Sequence, residues 1–509
     1  MSFVLRLVVA ALGGLALAAS FPDLGWWPLA YVALAALWLA LARASAWGGF
    51  LYGWAFGSAF MLPHVWWAHE AVGAVPWLAL AIASGAFYGL FGAAWAHVRR
   101  SAMLRGIVWA EAPVFAVLWA GMEQLRAVVP FGGFPWGRIA FSQLDAAVAH
   151  LAWLGGAGLV SFAVALAGAL LGGGLESLMR RRVVTGLAAP MAGIAVLCTG
   201  IVIPLSPQGG GDEIRLALIQ GNVAEPGLDA FANAREVTRN HRDGTLELVA
   251  SDPGPIDLVV WPENAADYDP RTDEQSAAMV TESAQAAGAP VLLGTNDYSP
   301  EDGRYNTSLV WTPDGAVLDT YAKQRPAPFA EYIPIRDVAR RFSPEVDRVT
   351  TDVLSGEGPA TVVVPVTALG RSVTVGTVIC FEVAYDPIVA GAVAAGAEVV
   401  IVQTNNASFG DTAESTQQLA MTRLRAIETG RTAVQISTVG VSGVVDPTGR
   451  LLQQTGLFTA DQMYAEVPLR SDITPAVRLR MVWEWLPLIV ALGFAGSAVS
   501  RRLSARYDW

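Results

Sequence analysis

Three reactive side chains stand where predicted strands end. They are Glu263, Lys323 and Cys380, with 60 residues between the first pair and 57 between the second. Lys323 is the sole lysine, the other 32 of the 33 basic residues being arginine. A compact ammonium can serve as a point charge and trade a proton, which a guanidinium cannot. Cys380 follows the apolar run Val373–Ile379 and precedes Phe381-Glu382 and a predicted helix. A nucleophile at a sharp strand-to-helix turn is held exposed, with backbone N–H groups close by for a thiolate and an oxyanion. Glu263 follows Trp261-Pro262, and the proline stops the strand and fixes the carboxylate at its mouth. Together the three supply a general base, an electrostatic stabiliser and a sulfur nucleophile. Singly, each has a plainer reading: a solvated strand-end acid, a chance lysine, an inert buried thiol.

No histidine is needed for this chemistry. His64, His69, His97 and His150 lie in or beside apolar blocks, and His241 lies on a polar predicted helix. None pairs with cysteine in a recognisable motif, and no Cys/His spacing predicts a metal site or a cofactor. Cys198 and Cys380 fall in different predicted compartments, which excludes a disulfide framework.

The elements that must position the trio form an α/β chain over 212–475. Predicted strands are 214–219, 257–261, 291–294, 307–311, 373–379 and 398–403, with more out to about 467. Pro313-Asp314-Gly315 predicts a hairpin turn. Helices are predicted near 230–250, 272–287, 384–395 and 412–429. Sheets stacked between helices follow from this order, with function at the strand ends.

The rest of the chain is too apolar for water. The whole is 53% hydrophobic and 15% charged, with mean hydropathy +0.43. Eight spans are predicted, at 3–20, 25–43, 46–62, 76–97, 107–125, 151–174, 184–204 and 482–500. Residues 1–211 thus form a domain of seven spans, and 476–509 carry the eighth with a cytoplasmic tail. The first span is expected to be retained rather than cleaved, since its charged start is only Arg6. Arginine clusters at 99, 100 and 105, at 180–182, and at 501, 502 and 506 set these loops inside, which puts 212–475 outside. Trp26, Trp27, Trp66, Trp67, Trp483 and Trp485 then fall at the outer interface. Glu111 and Glu123, in the fifth apolar block, are expected to snorkel or play a structural role, and Arg126 and Arg138 to meet headgroups. A net charge of -11 argues against a nucleic-acid partner.

Pro262-Glu263, the Lys323 segment and Cys380-Phe381-Glu382 resemble the Glu–Lys–Cys signature of the nitrilase (carbon–nitrogen hydrolase) superfamily. With seven spans before and one after, the chain is similar throughout to the membrane-embedded branch, the apolipoprotein N-acyltransferases. Further matching pieces are Phe134-Pro135-Trp136-Gly137, Gln220-Gly221-Asn222, the run 328–334 and Asn405-Asn406-Ala407-Ser408-Phe409-Gly410. The resemblance implies an α-β-β-α sandwich outside a multi-pass helical membrane domain, in the bacterial cytoplasmic membrane. It implies Cys380 as acylated nucleophile, Glu263 as base, Lys323 as oxyanion stabiliser and Glu331 as a second glutamate orienting the lysine. Asn306, Phe381, Glu382, Tyr332 and Asn405 match supporting or pocket positions. The resemblance implies, too, that a phospholipid donates the acyl chain through a thioester and that a lipoprotein's diacylglyceryl-cysteine accepts it. Phe134, Trp136, Phe329, Tyr332 and Phe409 are candidates to seal the site from water. The chain departs from relatives in lacking a tryptophan after Asn222, where Phe231 could substitute, and in having Ser408 in place of tryptophan. Two rival readings share parts of this pattern: a membrane-tethered amidase, and a non-enzymatic receptor or transporter.

Overall fold

A computed structural model describes all residues except 101–103, 105, 207–210, 224–234 and 508–509; over 497–507 it describes the helix but not the side chains. Phe231, Arg105 and the side chains of Arg501, Arg502 and Arg506 lie outside the described residues, as does the start of the helix predicted near 230. The chain divides into a helical unit (Met1–Trp66, Ala74–Pro204, Leu479–Trp509) and an α/β unit (Trp67–Gly73, Leu205–Arg478).

The helical unit contains Phe3–Ala19, Leu29–Leu41, Ala46–His64, Ala74–Val98, Val108–Val128, Ala152–Met179, Val183–Cys198 and Arg480–Tyr507. Among the described residues, three helical stretches are long and apolar enough to cross a membrane: Ala74–Val98, Ala147–Met179 and Val183–Val202. Phe3–Ala19 and Leu29–Leu41 are shorter apolar helices. Glycine lets backbones touch where apolar surface alone gives little drive to associate. Gly49, Gly53 and Gly57 recur every fourth residue, and a Cβ at Gly49 or Gly53 would collide with the carbonyl of Gly92 or Tyr88 on the neighbouring helix.

The buried acids Glu111 and Glu123 of this unit have polar partners. Glu123 accepts from Trp119 Nε1 at 3.0 Å and from the Ile139 amide at 2.9 Å. Glu111 meets Arg99 at 2.9 Å, and Arg99 also reaches Glu176 at 2.5 Å. Both acids are therefore structural, and neither snorkels. The expectation for Arg126 and Arg138 is corrected: they are only 1% and 4% exposed. Arg126 donates to the carbonyls of Phe134 and Trp136 at 2.8 and 2.5 Å, while Arg138 donates to Gln124 at 2.8 Å. They staple the Phe134–Gly137 loop, because a guanidinium forced inside must find acceptors there. Trp136 is itself 1% exposed, a core residue of this unit.

The α/β unit holds two six-stranded sheets. Its strands are β1 (Glu213–Gln220), β2 (Leu258–Val260), β3 (Val291–Asp297), β4 (Tyr305–Trp311), β5 (Val317–Ala322), β6 (Thr361–Val366), β7 (Arg371–Ile379), β8 (Val399–Thr404), β9 (Ala433–Ser437), β10 (Gly443–Val445), β11 (Leu451–Gln454) and β12 (Asp461–Pro468). The orders are β12-β1-β2-β3-β4-β5 and β11-β10-β9-β8-β7-β6. Each sheet has three parallel strands, β1-β2-β3 and β7-β8-β9, flanked by antiparallel ones. β4 and β5 form the expected hairpin.

Polar bonds join the sheets at their inner faces. Gln403 on β8 accepts from Ser308 on β4 at 2.5 Å and donates to the Trp261 carbonyl at 2.7 Å; Thr377 on β7 donates to Gln403 at 2.9 Å. A buried amide so fully satisfied fixes one register between two faces. On the outer side of the first sheet, Ile219, Val259, Trp261 and Leu293 pack with Leu248, Val280 and Ala284 of the helices Glu236–Ala250 and Glu274–Ala287. The short helix Trp67–Val72 groups with this unit. Trp67 is largely buried there, its ring edge-on to Phe409 with centroids 5.3 Å apart. It does not stand free as an interfacial anchor.

Candidate active site

The ends of β2, β5 and β7 converge on one buried cluster. β2 runs through Trp261-Pro262 to Glu263, and the Trp261 amide donates to Leu292 at 2.8 Å to hold that segment on β3. Gly294 permits the close crossing: a Cβ there would lie 2.7 Å from Glu263 Cα, the Asn264 nitrogen and the Pro262 oxygen. β5 ends into Lys323, whose amide donates to the Asn306 carbonyl at 2.8 Å. β7 ends into Cys380, which adopts φ 53° at the head of a short 3-10 turn, Cys380–Ala384. A non-glycine residue in the left-handed region is uncommon and costs on the order of 1 kcal/mol or more. Here the turn is braced by Glu382.

Folding brings the three predicted groups together. Lys323 Nζ lies 3.4 Å from Glu263 Oε1 and 2.9 Å from Glu331 Oε1. Asn306 Nδ2 donates to Glu263 at 2.6 Å and to Glu331 at 3.3 Å. The Asn405 amide donates to the other Glu263 oxygen at 2.9 Å, and the Ala327 amide to Glu331 Oε2 at 2.7 Å. Gln418 Nε2 sits 3.6 Å from the Cys380 sulfur, and the charges of Glu263 and Lys323 both act on that thiol. Glu263, Lys323 and Cys380 are 4%, 1% and 9% exposed.

Burial sets the electrostatics. It pushes the Glu263 carboxyl up, with Lys323 pulling the other way. It pushes the Cys380 thiol up as well, reinforced by the Glu263 charge and opposed by Lys323. Burial works against the Lys323 ammonium, but Glu331, Glu263 and the sulfur outweigh it and hold its pKa above the ordinary lysine range. Burial also raises Glu331, yet Lys323 and its hydrogen bond prevail and keep that carboxyl low. Lys323 and Glu331 are thus a charged pair, while burial makes both the Glu263 carboxyl and the Cys380 thiol hold their protons more tightly than usual. Such a cluster can pass a proton from sulfur to carboxylate and present an ammonium to an oxyanion.

The remaining predicted residues take distinct places. Phe381 and Tyr385 meet edge to face at 5.5 Å, both largely buried. Tyr332 is half-buried, and Phe329, its neighbour in the loop, is 39% exposed. Asn405 serves through its backbone amide, its side chain accepting from the Ala407 amide at 3.1 Å. Glu382 forms a brace within the turn that begins at Cys380. Fully buried, it accepts from Tyr321 at 2.9 and 3.0 Å and from the amides of Gln324, Arg325 and Ile379 at 2.7, 3.1 and 3.0 Å. It thereby ties the lysine segment to the cysteine turn. His241, fully buried, accepts from the Gly221 amide at 3.2 Å, and burial lowers its pKa to about 4, which makes it a neutral structural group. Sequence reasoning missed Asn406, Gln418 and Thr438, whose hydroxyl donates to the Glu263 carbonyl at 3.3 Å. Among the described residues no group of His, Cys, Asp and Glu could hold a metal ion.

Comparison with known proteins matches this organisation. Residues 13–170 match the model of the apolipoprotein N-acyltransferase N-terminal domain, and residues 215–473 that of the carbon–nitrogen hydrolases. The chain is 38% identical to apolipoprotein N-acyltransferase of Mycolicibacterium smegmatis, across 96% of this chain and 83% of that protein. It is 31% identical to the Azotobacter vinelandii protein of the same name, across 94% and 92%. An amidase crystal structure from Nesterenkonia sp. is similar with 21% identity and a TM-score of 0.39, covering 53% of this chain and 96% of that one. With near-complete coverage of relatives at this identity, the chain belongs to the apolipoprotein N-acyltransferase family.

Proposed function

We propose that this chain moves an acyl group from a phospholipid, through a thioester on Cys380, to the α-amino group of the diacylglyceryl-cysteine that begins a bacterial lipoprotein. The observation that carries the reading is the buried Glu263–Lys323–Cys380 cluster in a chain whose full-length relatives bear that activity's name.

In the first half-reaction Glu263 takes the thiol proton and the sulfur attacks the ester carbonyl. Lys323, held charged by Glu331, faces the tetrahedral oxygen. The C–O bond then breaks, and Glu263 returns the proton to the departing glycerol oxygen, which leaves lysophospholipid and the thioester. In the second half the neutral α-amine attacks; an α-amine has a pKa near ~8, so a usable fraction is unprotonated at neutral pH. Glu263 takes one amine proton and delivers it to the sulfur as the C–S bond breaks. Two half-reactions on one nucleophile predict ping-pong kinetics. Water must be kept from the thioester, a task suited to Phe329, Tyr332 and Phe409.

We further propose that the eight helices named for the helical unit are spans of the bacterial cytoplasmic membrane, with the α/β unit outside. Arginines at 99 and 100, at 180–182 and beyond 500 support that orientation. Both substrates are lipid-anchored, and pulling an acyl chain into water costs about 0.8 kcal/mol per CH₂.

Intact-mass measurement tests the mechanism. After incubation with phospholipid, the purified chain should gain one acyl group on Cys380, and a diacylated lipopeptide should discharge it as the N-acylated product. Cys380→Ala should gain nothing. A variant lacking the sulfur that still N-acylates the lipopeptide would overturn the mechanism. Discharge to water, unchanged by lipopeptide, would make the chain a hydrolase.

A further inference from the structure

The steps above leave one donor at the sulfur without a task. Gln418 lies in the helix Glu414–Thr429, is fully buried, and places Nε2 3.6 Å from Cys380 Sγ. The two ends of an amide act oppositely here. An N–H toward sulfur favours a thiolate, whereas a carbonyl oxygen would repel it.

The neighbours of Gln418 fix which end faces sulfur. Its Oε1 accepts from the Thr404 hydroxyl at 2.7 Å and from Asn406 Nδ2 at 3.1 Å. Asn406 is oriented in turn, because its Oδ1 accepts from the Ser437 hydroxyl at 2.5 Å while the same nitrogen also donates to Glu414. Ser437 accepts from the Gly440 amide at 2.8 Å, and a backbone N–H cannot turn into an acceptor. Hydrogen-bond direction therefore runs one way, from the Gly440 amide through Ser437, Asn406 and Gln418 to the sulfur. Thr404, Asn406, Gln418 and Ser437 are at most 2% exposed, so water does not compete for these bonds.

We propose that Gln418 is a catalytic residue: its amide N–H donates to the Cys380 sulfur, stabilises the anionic sulfur that attacks the ester and later leaves the thioester, and is held in that orientation by the Thr404, Asn406 and Ser437 relay. Lys323 supplies charge but is also engaged with two carboxylates, so a second, neutral donor at sulfur has a distinct role. The inference rests on the reading of Cys380 as nucleophile.

The test follows the alkylation rate of Cys380 by iodoacetamide against pH, on the full chain in lipid nanodiscs with Cys198→Ser as background. The other ionisable groups around the sulfur, Glu263, Lys323 and Glu414, stay in place throughout. Gln418→Met removes the donor at similar length and should move the midpoint up by about one to two units. Ser437→Ala removes the hydroxyl that orients Asn406, leaves the Gln418 amide present but free to turn, and should move the midpoint up by less. A purely structural glutamine would lower thermal stability without moving the midpoint, so an unmoved midpoint in a folded Gln418→Met chain overturns the proposal. If that chain does not fold, Ser437→Ala decides on the same criterion. A parent chain whose Cys380 alkylates at no pH would refute the nucleophile reading, and this inference with it; a reactive parent with unmoved variants refutes the inference alone.

Discussion

Glu263 acts in the proposed mechanism only when ionised, so its environment sets the acid limit of activity. An exposed glutamate loses its proton near ~4.3. Burial raises Glu263 above that range, and Lys323 and Asn306 offset part of the rise. The sign is fixed: as pH falls through the raised value the base becomes protonated and acyl transfer is lost, at a higher pH than an exposed carboxylate would give. Asn306 donates to Glu263 at 2.6 Å and so favours the charged form. Asn306→Ala should move the acid limb of kcat/KM to higher pH by about one unit, as read from a pH–rate profile of lipopeptide acylation. An acid limb at the parent position would mean that Glu263 is not the group titrating. Glu414 carries a similar burden: burial, helped by Glu263, raises it to about 8, with the Asn406 bond opposing. The acidic groups around the sulfur therefore carry less negative charge at neutral pH than their number suggests, which makes a thiolate there less costly.

Elements matter here because the reactive groups sit on three separate strand ends, and Glu382 is what couples two of them. Its carboxylate accepts from Ile379 just before the cysteine, and from Gln324 and Arg325 just after the lysine. Glu382→Ala would strand several buried donors, at a cost on the order of 3 kcal/mol. It would also release the left-handed turn at Cys380. Thermal unfolding should show the destabilisation, and alkylation at Cys380 should slow by more than the lost stability explains. Parent-like alkylation in Glu382→Ala would show that the brace does not position the sulfur. The sequence made the trio and the strands that carry it legible, because strand ends after apolar runs are marked by Pro262, by the hairpin turn and by a lone cysteine. It did not make the Gln418 relay legible. The helix Glu414–Thr429 is polar in composition, which reads as a solvated face, yet nearly all of it is buried. Only the packing of this helix on the second sheet turns Gln417-Gln418 from surface amides into interior ones. Nor could adjacency in the chain separate a supporting from a pocket role for Glu382, because its five hydrogen bonds come from β5, the residues that follow it and the end of β7.

At the scale of the whole molecule, the proposed reaction demands that lipid substrates reach a thioester from which water is excluded. Extracting a chain of a dozen or more carbons into water would cost on the order of 10 kcal/mol. A multi-span unit removes that cost only if its helices cross the bilayer with the α/β unit on the side where lipoprotein N-termini emerge. Length and composition mark three helical stretches as long enough to cross, and the arginine clusters support the proposed orientation. Arg181 and Ser299 are both exposed, one between the last two helices before the α/β unit, the other in a turn after β3. In a background carrying Cys198→Ser and Cys380→Ala, Arg181→Cys and Ser299→Cys each present a single thiol. Applied to intact spheroplasts, a membrane-impermeant maleimide should label Ser299→Cys and should reach Arg181→Cys only after lysis. Labelling of both before lysis would refute the eight-span topology, and labelling of Arg181→Cys alone would place the active site on the wrong face for its proposed acceptor. The acyl transfer would then need a substrate other than an exported lipoprotein, even with the chemistry at Cys380 intact.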